Sequence, residues 1–384
     1  MKPVRILFIS HIATRTGAPI QLCNLLYHLD PSGLWEKRVL IRQQSETSEL
    51  EKEFAQACVT YLMQGEVIIP SRFSPEVMGD EYATFADFLE CWNPDLVYSN
   101  TVTNGALVKL AHELKIPVII HVQEMKPAFQ KYTTGFLEET LSSAHFVCVS
   151  QAVRDYLARD YGIPEERLSL VHNSVDTKKI DRLLNKTRKD IRAELGIPGQ
   201  ATAIGGAGWM SLHKGVDLWL QVARRVAVEL PEVDSYFLWV GYNQDSYAAQ
   251  MSRDVGMLGL EGRVIFTGAV SNPYPYINAM DVFVMSSRHE SIGLVSIEAA
   301  YLGKPVVCFG CSGGAREVVG TEAGAIVECL DSYEMAKEVI KLITNESLRR
   351  QQGAYAKRRV LRHFEIKDKA KDVQVIIEKV LALN

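Results

Sequence analysis

The 384-residue chain has no uncharged apolar run of the about 18 residues that a membrane-spanning helix needs. Its first apolar run, "VRILFIS", is too short for a secretory signal and meets a polar loop at once. There is no excess of positive charge. Lys and Arg number 42 against 46 Asp and Glu, a net charge of -4. A dedicated nucleic-acid binder needs a basic field to neutralise phosphates, so no nucleic-acid partner is expected. Cysteine is sparse and odd in number, with seven residues mostly in apolar runs such as "HFVCVS". That pattern reads as reduced, packed thiols in a cytoplasmic protein. Cys308 and Cys311 make one CxxC, but no second pair follows at zinc-finger spacing, so neither metal nor redox chemistry is expected there. Glycine is also scarce where a nicotinamide-binding domain needs it. "ISHIATRTGAP" has one glycine instead of three, which argues against an oxidoreductase.

What is present is a regular alternation. Apolar residues make up 47% and charged residues 23%, as in ordinary globular proteins, and the length suits two domains. Short continuous apolar runs ("VRILFIS", "KRVLIR", "DLVYSN", "PVIIHV", "HFVCVS") are separated by segments of helical spacing. The pattern restarts after "SLVHNSVD" and a Lys/Arg-rich stretch, "TKKIDRLLNKTRKDIRAELGIPGQ", read as the connection between domains. "ATAIGGAGW", "SYFLWVG", "RVIFTGAV", "DVFVMSS" and "KPVVCFG" form the second set. Continuous Val, Ile and Leu runs suit parallel sheets covered on both faces. The predicted fold is α/β, with two doubly wound parallel-sheet, Rossmann-like domains facing a central cleft.

The most informative segment is "SSRHESIGLVSIEAAYLGKPVV", Ser286 to Val307. Glu290 lies in the loop leaving the strand "DVFVMSS". "LVSIEAAYL" is helical and stopped by Gly303 and Pro305, in the usual C-terminal order. Amides around Gly293 and Leu294 then open a helix, where N–H groups and the helix dipole favour an anion. Glu298 falls about one turn into that helix. It would repel an anion, so it is expected to accept hydrogen bonds from hydroxyls. A ligand with a diphosphate between two polyhydroxyl groups meets both demands: a nucleotide-sugar.

These residues resemble the Glu-x7-Glu motif of retaining glycosyltransferases with the GT-B fold, of the glycosyltransferase family 4 (group 1) type, and the resemblance covers nearly the whole chain. "CSGGAREVV" resembles the Gly-Gly-x-x-Glu segment that follows in that family. "SLVHNSVD" is similar to the Asn-Gly-Val-Asp opening of its second domain, with Ser174 in place of glycine. "GAGWMSLHKGVDLWL" resembles the segment with the diphosphate-binding lysine, here Lys214. "RTGAP" resembles the first glycine loop and points to Gly17. The resemblance implies domains at 1–175 plus 365–384 (acceptor side) and 176–364 (donor), with the C-terminal helix crossing back. It implies that Glu290 contacts the donor sugar and Glu298 the ribose. Lys214, Gly208, Gly268, Arg288, Ser291, Ile292, Gly293 and Leu294 complete the donor-binding set, and Glu290, His121 and Gly17 the catalytic one. Arg288 reaches ligand or pairs with a neighbouring carboxylate. The expected enzyme is a metal-independent, retaining hexosyltransferase of cell-surface polysaccharide or glycoconjugate synthesis, with no cofactor. No Asp-x-Asp follows a strand to hold magnesium. Its partners would be a nucleotide-sugar donor and a glycan or lipid-linked acceptor.

Three departures bear on activity. No arginine precedes Lys214 in "GAGWMSLHK"; Trp209 stands near that place, with Ser211 or His213 as partial substitutes. Gln123 stands where the family has a histidine, and His121 lies two residues earlier on the same strand face. Ser174 replaces a glycine. The missing arginine and Gln123 leave one alternative, a catalytically inactive GT-B scaffold subunit. A second, a sugar-nucleotide 2-epimerase, needs acid/base carboxylates and a histidine around the sugar ring, and the Glu-x7-Glu context argues against it. Residues Lys337–Lys369 carry ten Lys/Arg against four Asp/Glu. That stretch reads as solvated helix faces, and it is the sole basis for expecting weak peripheral contact at the inner membrane face.

Overall fold

In the computed structural model, which describes residues 3–43, 49–186, 190–241 and 246–383, the apolar runs are strands of two separate sheets. The chain divides into Met1–Ser174 with Ile366–Asn384, and Val175–Glu365.

The first unit holds β1 (Val4–Ile12), β2 (Trp35–Gln43), β3 (Val59–Gln64), β4 (Val67–Pro70), β5 (Leu96–Ser99), β6 (Val118–Val122), β7 (His145–Cys148) and β8 (Leu168–Leu170). Their order is β4-β3-β2-β1-β5-β6-β7-β8. All neighbours run parallel except the edge pair β3–β4. Ile6 to Ile9 are fully buried on both faces of β1, which is why that strand reads as continuous apolar sequence. The C-terminal helix Ile366–Leu383 contributes Ile366, Ala370, Val373, Ile377 and Val380 to this unit's core.

The second unit holds β9 (Thr202–Ala207), β10 (Ser235–Val240), β11 (Val264–Phe266), β12 (Val282–Met285), β13 (Val306–Phe309) and β14 (Gly324–Val327), all parallel. Their order is β11-β10-β9-β12-β13-β14. Trp219, Phe237, Trp239, Val282 and Val307 anchor its core. In each sheet the order reverses once, between β1 and β5 and between β9 and β12. Ligands of open α/β sheets bind at the carboxyl ends of such strands.

Two expectations are corrected here. The Lys/Arg-rich stretch is not a bare connector. Its described part forms the helices Thr177–Lys186 and Ile191–Glu194 within the second unit. Arg192 bonds Asp281 Oδ2 at 2.6 Å and the carbonyls of Ala279 and Ala201 at 2.9 Å. The Arg192 charge is structural, and periodicity alone could not show its partners. Nor are all the cysteines reduced, since Cys311 and Cys329 form a disulfide. The reason is register. Phe309 ends β13, Val327 ends β14, and the two are paired. Each cysteine lies two residues beyond its strand end, so the neighbouring strands deliver them together. Cys308, the other half of the CxxC, is buried in β13, and burial pushes its thiol up to about 12.

Among the described residues no helix is long and apolar enough to cross a membrane. The site helix Leu294–Tyr301 packs against the helix Glu346–His363. A Cβ on Gly353 would lie 2.1 Å from the Gly303 carbonyl oxygen, just past the site helix. Alanine ordinarily favours a helix interior over glycine by about 1 kcal/mol. Gly353→Ala should nonetheless destabilise the second unit by roughly 1–3 kcal/mol, because the two backbones must separate. Urea unfolding followed by tryptophan fluorescence would show a lower midpoint; an unchanged or higher one would refute the close packing.

Candidate functional site

At the β9/β12 switch two loops converge. The first leaves β9 through Gly208 and ends in the turn Leu212–Lys214, where the Ser211 hydroxyl accepts from the Lys214 amide at 3.4 Å. Gly215 follows with φ +67°, and a Cβ there would lie 2.0 Å from the Ser286 carbonyl oxygen. The second loop, Ser286 to Gly293, leaves β12. The Ser286 hydroxyl donates to the Lys214 carbonyl at 3.0 Å, and the Arg288 amide to the His213 carbonyl at 2.9 Å.

This backbone contact brings the Lys214 ammonium directly onto the Glu290 carboxylate. Both side chains are largely buried, at 20% and 12% exposure. The Lys214 stem lies over Gly208, where a Cβ would come within 3.3 Å of Cε. Glu290 is fixed by its own backbone as well. Its amide donates to Ser312 O at 2.6 Å, and its carbonyl accepts from the Gly314 amide at 3.0 Å. "CSGGAREVV" is therefore the strap that holds Glu290.

Gly293, with φ +72°, turns the chain into the helix Leu294–Tyr301. A Cβ there would strike Met285 at 2.4 Å. Ile292 is fully buried, while Ser291 and Leu294 are half-buried at the helix mouth. Glu298, only 9% exposed, accepts from the Tyr274 hydroxyl at 3.3 Å. Arg288 makes a bidentate pair with Asp217 at 2.8 and 2.7 Å and donates to Leu212 O at 2.7 Å. Burial holds His213 below its ordinary value, so it carries no standing charge at neutral pH. Trp209 is 55% exposed.

Sequence reasoning missed several members. Asp217 is the partner of Arg288. Gly241 is a third glycine beside Gly208 and Gly268: a Cβ on it would lie 1.9 Å from Gly208 O, and its amide donates to Gly268 O at 3.1 Å. Its position just after the run "SYFLWV" was the available signal. Tyr274, on Glu298, had none.

His121 and Gly17 belong to the first unit. His121 sits in β6, 1% exposed. Its Nδ1 is 2.8 Å from the Tyr98 hydroxyl, and its Nε2 is buried without a hydrogen-bond partner among the described residues. Burial lowers its pKa to about 3, so the ring is neutral. Gly17 opens the helix Gly17–His28 and is exposed. Asn100, leaving β5, donates to the neighbouring Ala18 carbonyl at 2.7 Å. Gln123 Oε1 accepts from Asn173 at 2.9 Å. Ser174 is bound by Gln21 through side chain and backbone, at 3.0 and 3.2 Å. Glu124 accepts from the Gln123 amide at 2.9 Å, and burial of its carboxyl raises the pKa to about 7.

Two doubly wound parallel-sheet units in one chain, the second with a lysine–glutamate contact at its switch point, define the GT-B class. The solved HepE protein of Anabaena, in complex with UDP and glucose, superposes with a TM-score of 0.80 over 98% of this chain and 100% of that one, at 18% identity. Two family models match in tandem: "Glycosyltransferase Family 4" over residues 22–179 and "Glycosyl transferases group 1" over residues 201–345. The chain belongs to these group 1, family 4 glycosyltransferases. It is 28% identical to the mannosylfructose-phosphate synthase of Agrobacterium fabrum over 201 residues, 50% of this chain and 44% of that protein. To the lipopolysaccharide core biosynthesis glycosyltransferase LpsE of Rhizobium meliloti it is 32% identical over 158 residues, 41% of this chain and 44% of that one. The matched region thus spans somewhat under half the length of these two relatives.

Glu124 generates a pH prediction. Its folded pKa is raised, so the native state holds the proton more tightly than the unfolded chain. Its contribution is fully present below the unfolded value near 4.5 and is lost as pH rises through about 7. Across that window Glu124→Gln should lose less stability than the parent as pH rises. Urea midpoints measured at intervals from pH 4.5 to 7.5 would show the curves diverging; parallel curves would refute the assignment.

Proposed function

We propose that this chain is a retaining glycosyltransferase, acting without a metal, that moves a sugar from a nucleotide-diphosphate donor to a hydroxyl of a glycan or lipid-linked acceptor in polysaccharide or glycoconjugate synthesis. The observation that carries this reading is the Lys214–Glu290 contact at the β9/β12 switch, beside the helix mouth at Gly293 and the buried Glu298. In this reading Lys214 and the amides at Gly293 and Leu294 hold the diphosphate. Glu290 accepts from sugar hydroxyls, and Glu298 from the ribose.

The chemistry follows from that placement. The bond from the sugar's anomeric carbon to the phosphate oxygen breaks, and its electrons leave with the nucleoside diphosphate. Lys214 and the helix-end amides stabilise that developing charge, as pre-oriented donors do. The acceptor oxygen attacks from the face the diphosphate leaves, and its proton passes to the departing phosphate. His121, neutral through the physiological range, would act as a hydrogen-bonding group and not as a cation. The UDP and glucose bound by HepE and the lipopolysaccharide role named for LpsE support a uridine donor and a polysaccharide acceptor.

A thermal-shift panel of nucleotide diphosphates and their sugars, with and without EDTA, tests the reading. Ligand that binds only the native state raises Tm by mass action. A shift with one sugar-nucleotide, unchanged by EDTA, is expected, and Glu298→Ala should abolish it. A well-folded Glu298→Ala variant with the parent's shift would sink the assignment. A shift that disappears with EDTA would overturn metal independence.

A further inference from the structure

The Cys311–Cys329 disulfide lies where the strap that holds Glu290 begins. Both cysteines are exposed, while Cys308 and Cys148 are buried with raised pKa values. On one side of Cys311, the Gly310 amide donates to Val327 O at 2.8 Å, which ties the loop to the end of β14. On the other side, Ser312 is fully buried and its carbonyl receives the Glu290 amide. Two residues on, the Gly314 amide returns to the Glu290 carbonyl. Gly313 between them has φ +120°. The covalent link thus restrains a five-residue strap, Gly310 to Gly314, whose far end carries the backbone of Glu290.

We propose that Cys311–Cys329 is a thiol–disulfide exchange site whose redox state sets how firmly Glu290 is held, and through it the affinity for donor. The co-reactant is a dithiol, small or carried by a protein. One of its thiolates attacks an exposed sulfur and the Cys311–Cys329 bond breaks. The displaced sulfur leaves as a thiolate and takes up a proton. The second thiol of the reagent resolves the mixed disulfide. The reagent loses two electrons and becomes a disulfide, and the protein gains two thiols. Once the crosslink is open, the strap is held by its backbone hydrogen bonds and by the Ser312 hydroxyl, which donates to the Phe309 carbonyl at 2.9 Å. Its range of conformations widens, as when any loop-closing link is removed.

The consequence for donor affinity rests on the role given to Glu290 above; the consequence for the strap does not. The test uses the full chain. Titration in denaturant should count five thiols before reduction and seven after; seven before reduction would overturn the proposal. Native hydrogen exchange at the Glu290 and Gly314 amides reads the strap without any ligand. Dithiothreitol should speed both by about tenfold, as a local opening becomes easier, and oxidised glutathione should restore them. Cys329→Ser should exchange fast with or without reductant. Unchanged exchange on reduction overturns the proposal. UDP-glucose is the binding probe: its Kd should rise several-fold on reduction, and faster exchange with an unchanged Kd also overturns the proposal. A protein that binds no sugar-nucleotide in either state defeats the donor reading, and the exchange rates then decide the site alone.

Discussion

An ammonium and a carboxylate from different loops meet at the second sheet's switch point, and the loops around them are shaped by that meeting. Neither side chain has much water to return to. Removing one partner of so enclosed a pair leaves the other charge uncompensated, which costs far more than the pair itself contributes. Both loops must therefore be fixed by groups other than the charges. Ser286 on the Lys214 carbonyl and the Arg288 amide on the His213 carbonyl join the two loops. Arg288 on Asp217 adds a second tie from the same loop to the helix Val216–Glu229. Glu290 is anchored from behind by Ser312 and Gly314.

Glycine is required where these ties bring backbones too close for a side chain. Gly215 faces the Ser286 carbonyl, Gly241 the Gly208 carbonyl, and Gly293 the end of Met285. Gly215 and Gly293 also have φ near +70°, so a substitution there would be strained even if space were made. On the proposed reading a diphosphate would lie at these strand ends, against backbone amides.

The parts of this arrangement legible in the sequence are those where one local segment contains the whole device. Glu290, Gly293 and Glu298 fall within nine residues, and strand, loop and helix are each written in that stretch. Lys214 was legible because its loop directly follows a strand. What was not legible depends on pairing between distant segments. Asp217 could not be assigned to Arg288, 71 residues away, without knowing that β9 and β12 are neighbours. The disulfide likewise follows from the register of β13 on β14, which cysteine spacing does not reveal, so all seven thiols read as reduced. Strands β3 and β4 were not picked out; they are the antiparallel pair at one edge of the first sheet, where the run of parallel, doubly covered strands ends. The basic stretch after Asp176 read as a connector because the partners of its Arg192, the Asp281 carboxylate and the Ala279 and Ala201 carbonyls, include groups 87 and 89 residues further along the chain.

The charges near the switch also bear on the absent arginine. Arg288 is matched by Asp217, Lys214 by Glu290, and burial keeps His213 neutral. Before any ligand arrives, these groups sum to zero. On the proposed reading, a diphosphate meets no standing positive charge among them. It must draw Lys214 away from Glu290 while the helix mouth at Gly293 supplies its amides. Glu290 then loses its partner, and the sugar's hydroxyls are the groups placed to replace it. Phosphate and sugar would thus be recognised together. A nucleotide without its sugar would leave a largely buried carboxylate with only the long hydrogen bond from the Ser287 hydroxyl, at 3.4 Å, which is costly. The missing arginine therefore need not mean an inactive site. A second fixed cation would let the diphosphate bind without disturbing the Lys214–Glu290 pair, and that coupling between phosphate and sugar would be weaker.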